Sequence, residues 1–132
     1  MQLEPYLFFR GNAEEALTFY CDVFGGEITA LNRYEGSPME SQVADKRQIM
    51  HANFRAPGVA FMAADSTRPG LEGGNVSMCV GTDDAVEGQR VFDKLAEGGK
   101  IEMPFADTFW GAKFGMLTDR YGIDWMVNCA TS

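Results

Sequence analysis

The sequence predicts an α+β protein in which a β-α-β-β-β order occurs twice. Three observations carry that expectation. The chain has 132 residues, which at roughly 100–200 residues per domain means a single domain, 1–132, or two very small modules sharing a core. Two segments with helical spacing each follow a short apolar stretch, and each ends on a glycine pair. Finally, Gly25-Gly26-Glu27-Ile28 recurs as Gly98-Gly99-Lys100-Ile101, an offset of 73 residues that also matches Phe19 with Phe92 and Glu14 with Glu87. The expected modules are 1–66 and 74–132.

The first strand is read at Leu3-Glu4-Pro5-Tyr6-Leu7-Phe8-Phe9, short, apolar and aromatic. A helix opens at Gly11-Asn12, where Asn12 can cap and Glu15 completes a capping-box-like arrangement. Ala13, Ala16, Leu17, Tyr20, Val23 and Phe24 follow at helical spacing until Gly25-Gly26 stops the run. Ile28-Thr29-Ala30-Leu31 reads as the second strand, and 34–47 as a mobile loop with room for one helical turn. Ile49–Arg55 and Val59–Ala64 flank Ala56-Pro57-Gly58, a hairpin signal because proline presets the turn and glycine accepts the positive φ after it. Residues 65–74, rich in Gly, Ser, Thr and Pro, form the candidate linker. The order then recurs. Asn75–Val80 is a strand, and Thr82 or Asp83 can cap a helix through Val86, Val91, Phe92, Leu95 and Ala96. Strands are expected near Ile101–Phe105, at Phe114–Thr118 and at Ile123–Asn128, the last two joined by Asp119-Arg120-Tyr121-Gly122.

Hydrophobic residues make up 45% of the chain and charged residues 23%, which excludes a disordered, collagenous or membrane-spanning class. There is no run of about 18 apolar residues and no export signal, so neither a membrane partner nor secretion is expected. A net charge of −8 argues against a nucleic-acid partner, because such affinity comes from Lys and Arg neutralising phosphates. Cys21, Cys79 and Cys129 are widely spaced and odd in number, which predicts free thiols in the cytoplasm.

Pro5-Tyr6-Leu7 with Gly11-Asn12-Ala13-Glu14-Glu15-Ala16, Met50-His51-Ala52-Asn53, Gly99-Lys100-Ile101-Glu102-Met103-Pro104, Thr108-Phe109-Trp110-Gly111, and Thr118-Asp119-Arg120-Tyr121-Gly122 with Trp125-Met126 resemble the vicinal oxygen chelate superfamily of glyoxalases, bleomycin-resistance proteins and extradiol dioxygenases. The likeness spans almost the whole chain and is nearest the PhnB-like branch, also labelled 3-demethylubiquinone-9 3-methyltransferase-like. It implies paired βαβββ modules whose curved mixed sheets enclose a cleft, commonly in a homodimer. The methyltransferase label finds no echo in the residues. No glycine-rich turn follows a strand with an acidic residue beyond it to hold a nucleotide-like cofactor.

Enzymes of that superfamily hold a divalent metal on four strand positions through His, Gln and Glu. The flanking motifs place those positions on Pro5, Met62, Asn75 and Met126, with Ser77 as the alternative to Asn75. Proline has no donor, thioether is soft and an amide is weak, so no metal and no cofactor are expected. Strand parity selects the cleft residues. A two-residue Pro57-Gly58 turn pairs His51 with Ala64, Asn53 with Met62 and Arg55 with Ala60, and leaves Met50, Ala52, Phe54, Phe61 and Ala63 for the helix side. In the last hairpin Asp124, Met126 and Asn128 are expected inward opposite Lys113, Gly115 and Leu117, with Ile123, Trp125 and Val127 on the helix side.

The leading expectation is a metal-independent small-molecule-binding protein. Its ligand is apolar or aromatic, walled by Leu7, Phe9, Met62, Met126 and Trp110 and oriented by His51, Asn53, Asn75 (or Ser77) and Asp124. Leu7, Phe9 and Tyr6 also read as plain packing residues. Trp110 either closes the cleft or plugs the core. His51, the one histidine, is either hydrogen-bonded within the sheet, for instance to Asn53, or a general base. Two other classes stay open: a lyase or dioxygenase-like enzyme, metal-dependent or using His51, and a catalytically silent structural dimer.

Overall fold

A computed structural model describes residues 1–66 and 75–130 and divides the chain into two compact units, Met1–Leu71 and Glu72–Ser132. The first unit runs β1 (Tyr6–Phe9), α1 (Ala13–Phe24), β2 (Glu27–Arg33), β3 (Ile49–Ala56) and β4 (Val59–Asp65). The expected helical turn in 34–47 is a 3-10 turn at Glu40–Gln42. The sheet order is β1-β4-β3-β2, with β1 parallel to β4 and the other pairs antiparallel. Asn53 pairs with Met62 and Arg55 with Ala60, the register that a two-residue Pro57-Gly58 turn dictates.

Helix α1 buries Ala13, Ala16, Leu17, Tyr20 and Val23 on one side of this sheet. Phe54 and Phe61 stack there at 4.6 Å, and Tyr20 meets Phe61 edge-on at 5.8 Å. The cap differs from the sequence expectation. Asn12 occupies the cap position, but its side chain makes no cap hydrogen bond. Asp65, at the end of β4, takes over: Oδ1 accepts from the Gly11 and Ala13 N–H groups, and Oδ2 from the Ile49 N–H, each at 2.9 Å. A buried carboxylate at the positive end of the helix satisfies three donors, where a local asparagine reaches one or two.

The second unit runs β5 (Met78–Thr82), α2 (Ala85–Ala96), β6 (Lys100–Asp107), β7 (Ala112–Thr118) and β8 (Asp124–Ala130), in sheet order β5-β8-β7-β6. Again the first and last strands are parallel. The strand expected at 75–80 begins only at Met78, and the candidate linker lies outside the described residues from 67 to 74. Asp84, not Thr82 or Asp83, caps α2 by accepting from the Val86 and Glu87 N–H groups, while Thr82 Oγ1 accepts from Asp84 N. Val86 is exposed rather than buried. The helix buries Val91, Phe92 and Leu95. Those positions lie 75 residues after Ala16, Leu17 and Tyr20, so the repeat slips by two within the helix, and Phe19 is half-buried where Phe92 is core.

The glycine pairs do repeat in role. Gly25 and Gly98 adopt positive φ of 67° and 73°. Gly26 and Gly99 are closed in on by backbone: a Cβ would meet the Arg55 carbonyl oxygen at the first and the Thr118 carbonyl oxygen at the second. A third close approach, Gly115 beneath the Phe92 ring, admits the Phe92–Phe105 stack at 5.7 Å.

Candidate functional site

Each sheet has one face under its helix and one face turned away from it. On the first sheet the second face carries Tyr6 and Phe8 from β1, Met62 from β4, and His51, Asn53 and Arg55 from β3. This corrects the placement of two expected wall residues. Leu7 and Phe9 are 8% and 2% exposed, within the core. The parallel register Tyr6↔Met62 aligns Tyr6, not Leu7, with the Met62 side. An unbroken apolar run carries no alternation from which to read that parity.

One row across the first sheet reads Tyr6↔Met62↔Asn53, a thioether floor between two polar side chains. His51 bridges its ends. Tyr6 Oη lies 2.9 Å from His51 Nδ1, and His51 Nε2 lies 3.0 Å from Asn53 Oδ1. Because Asn53 Oδ1 only accepts, Nε2 carries the proton, and Nδ1 accepts the Tyr6 O–H. Burial, then the neighbouring Tyr34, pushes the Tyr6 hydroxyl above the usual tyrosine range, which keeps it protonated. Phe8 stacks on Tyr6 at 4.9 Å and is 40% exposed. At the rim Arg55 pairs with Glu4 at 3.0 Å.

On the second sheet the corresponding row is Cys79↔Met126↔Met116↔Met103. Asp124 lies on the same face and accepts from Thr118 Oγ1 at 2.7 Å; Asn128 sits beside Phe114. Here the expected partners are corrected. Lys113, Gly115 and Leu117 pair with Cys129, Val127 and Trp125, while Phe114, Met116 and Thr118 face Asn128, Met126 and Asp124. The turn holds one residue more than expected: Asp119 N–H donates to the Ile123 carbonyl at 2.9 Å, and pairing starts at Thr118↔Asp124. Trp125 is core, as its parity predicts, with its indole N–H on Asp119 Oδ2 at 2.8 Å.

Trp110 stays outside the buried core at 53% exposure and meets Phe114 edge-on at 5.8 Å. Asn75 and Ser77 are exposed, ahead of β5. A separate open recess of about 430 Å³ on the first unit is lined by Glu14, Arg33, Asp45 and Arg47. Its two arginines are held by Glu14 and Asp45.

The family-implied metal does not fit these residues. Pro5 offers only a backbone carbonyl, which accepts the Met62 N–H at 3.0 Å, and Met62 and Met126 offer thioethers. Among the described residues no group of three or more His, Cys, Asp and Glu side chains is placed to hold an ion. Among the described residues no helix is long and apolar enough to cross a membrane.

The fold and sequence have clear relatives. Protein PA1353 from Pseudomonas aeruginosa is 41% identical, with all of this chain and 99% of that one covered at a TM-score of 0.89. The PhnB protein from Bacillus cereus is 32% identical, covering 98% and 100%, at 0.85. Protein YjdN of Escherichia coli (strain K12) is 35% identical over 97% of this chain and 95% of its own. The fosfomycin resistance protein FosX from Listeria monocytogenes, 10% identical over 98% and 93% of the two chains at a TM-score of 0.67, shares the fold. The family described as 3-demethylubiquinone-9 3-methyltransferase matches residues 1–128, so the chain belongs to that family, the PhnB-like branch of the vicinal oxygen chelate superfamily.

Proposed function

We propose that this protein is a metal-independent binder of a small apolar or aromatic molecule, which it holds on the sheet faces turned away from the helices. The observation that carries the reading is the row Tyr6↔Met62↔Asn53 with the exposed Phe8 ring beside it. An adaptable apolar floor edged by a few fixed polar groups is the usual make-up of a small-molecule site. Met126, Met116 and Phe114, with Trp110 against Phe114, supply a similar apolar surface in the second unit. His51 acts here as a positioning group, since both ring nitrogens are occupied by Tyr6 and Asn53.

The methyl transfer named in the family's description is not part of this reading. The turn between β1 and α1 is Arg10-Gly11-Asn12, without the glycine-rich fingerprint of a nucleotide-like cofactor. The proposal includes a homodimer, supported by the habit of the superfamily, and a cytoplasmic setting, supported by free thiols at Cys21, Cys79 and Cys129.

The test is native mass spectrometry on protein purified without added ligand and then treated with chelator. A bound organic mass that survives chelation and is lost on Met62→Lys is the expected result. Near-stoichiometric zinc or nickel binding that the ligand requires overturns the proposal.

A further inference from the structure

We propose that the Tyr6–His51–Asn53 relay fixes the hydrogen-bonding pattern of the ligand: a donor group facing Tyr6 Oη and an acceptor facing Asn53 Nδ2. The inference rests on the open-face binding reading above and names the ligand class within it. It follows from a count of protons. Asn53 Oδ1 accepts from His51 Nε2–H, so what the amide chiefly keeps for a ligand is its two Nδ2 N–H donors. The Tyr6 proton is spent on His51 Nδ1, so the phenol oxygen presents only lone pairs. The two ends of the row thus have opposite polarity, with the Met62 thioether between them.

A neutral, planar molecule with an O–H or N–H on one edge and a carbonyl-type oxygen on the opposite edge satisfies both ends. Its ring lies over Met62 and against Phe8 and Tyr6. An ether or hydrocarbon of the same shape leaves the Tyr6 lone pair facing a group that cannot donate. Desolvating an unpaired polar atom in this way costs enough to separate two ligands about tenfold.

The tautomer is read directly from the imidazole nitrogen resonances, because His51 is the one histidine of the chain. Protonated Nε2 is expected at neutral pH; protonated Nδ1 overturns the proposal. The ligand rule is tested by titrating ¹⁵N-labelled protein with 4-hydroxyacetophenone and with 4-methoxyacetophenone, in the native chain and in Tyr6→Phe. The hydroxy probe is expected to bind about tenfold more tightly to the native chain, and the two probes equally to the variant. Equal binding to the native chain, or a preference that survives Tyr6→Phe, overturns the donor rule while the binding face stands. If neither probe binds in the millimolar range, the binding reading falls with it.

Discussion

Tyr6 and Cys79 hold the same place in the two units: each lies on the first strand, paired in parallel with the methionine of the last, Met62 or Met126. The two rows differ in chemistry. Tyr6 leads into a histidine relay, whereas Cys79 leads into three thioethers.

The accessible thiol in the second row gives a direct check on the placement of that face. Cys79 is exposed and Cys129 is buried; burial and then Glu27 raise the Cys21 thiol above its usual range, which keeps it the less reactive thiol form. An aromatic disulfide reagent is expected to react rapidly with one thiol of the folded protein, and Cys79→Ser to abolish that phase. Fast reaction of Cys129 contradicts the register of β8.

Helix α1 depends on a carboxylate from another strand. Asp65→Ala strands the N–H groups of Gly11, Ala13 and Ile49, and its expected cost is about 3 kcal/mol in urea unfolding. Asn12→Ala, which removes no cap hydrogen bond, is expected to change stability by less than about 0.5 kcal/mol. Equal losses refute the cap assignment.

The glycine pairs separate conformation from space. At Gly25 a Cβ meets nothing within 4 Å, so Gly25→Ala carries only the left-handed backbone cost of about 1–2 kcal/mol. At Gly99 the new Cβ meets the Thr118 carbonyl and lies 2.9 Å from Asp119 Cα, neither of which is a yielding side-chain end. Thermal unfolding is expected to rank Gly99→Ala and Gly26→Ala as clearly more damaging than Gly25→Ala.

Alkaline pH probes Tyr6. Its folded pKa is raised by burial and by Tyr34, so the folded state holds that proton more tightly than the unfolded chain does. The associated stability is complete below about pH 10 and is lost as pH rises through the folded value. Tyr6→Phe is expected to flatten this alkaline loss and to remove one late-ionising tyrosine from an ultraviolet titration. An unchanged titration contradicts the burial of the phenol.

Much of the architecture was legible because it is written locally. Pro57-Gly58 closes β3 and β4 with no slack, so parity placed Asn53 opposite Met62 correctly. The glycine pairs betrayed the repeat because both strands that follow run against a neighbouring backbone that tolerates no Cβ. What the chain concealed is long-range. Asp65 caps a helix that starts 52 residues earlier, beyond any local capping rule. The extra residue between β7 and β8 moved every partner of Asp124, Met126 and Asn128 by one. In the site, His51 and Asn53 were legible from alternation, while Tyr6 and Phe8 were hidden in an unbroken apolar run. The clue available was the register itself: whichever β1 residue aligns with Met62 shares its face.

The most direct measurement is an amide chemical-shift map of chelator-treated protein titrated with 4-hydroxyacetophenone. Saturable shifts at Tyr6, Phe8, Asn53 and Met62, with Ala16, Leu17 and Val23 unmoved, are expected. Shifts confined to the helix-covered side, or appearing only after zinc is added, contradict the account.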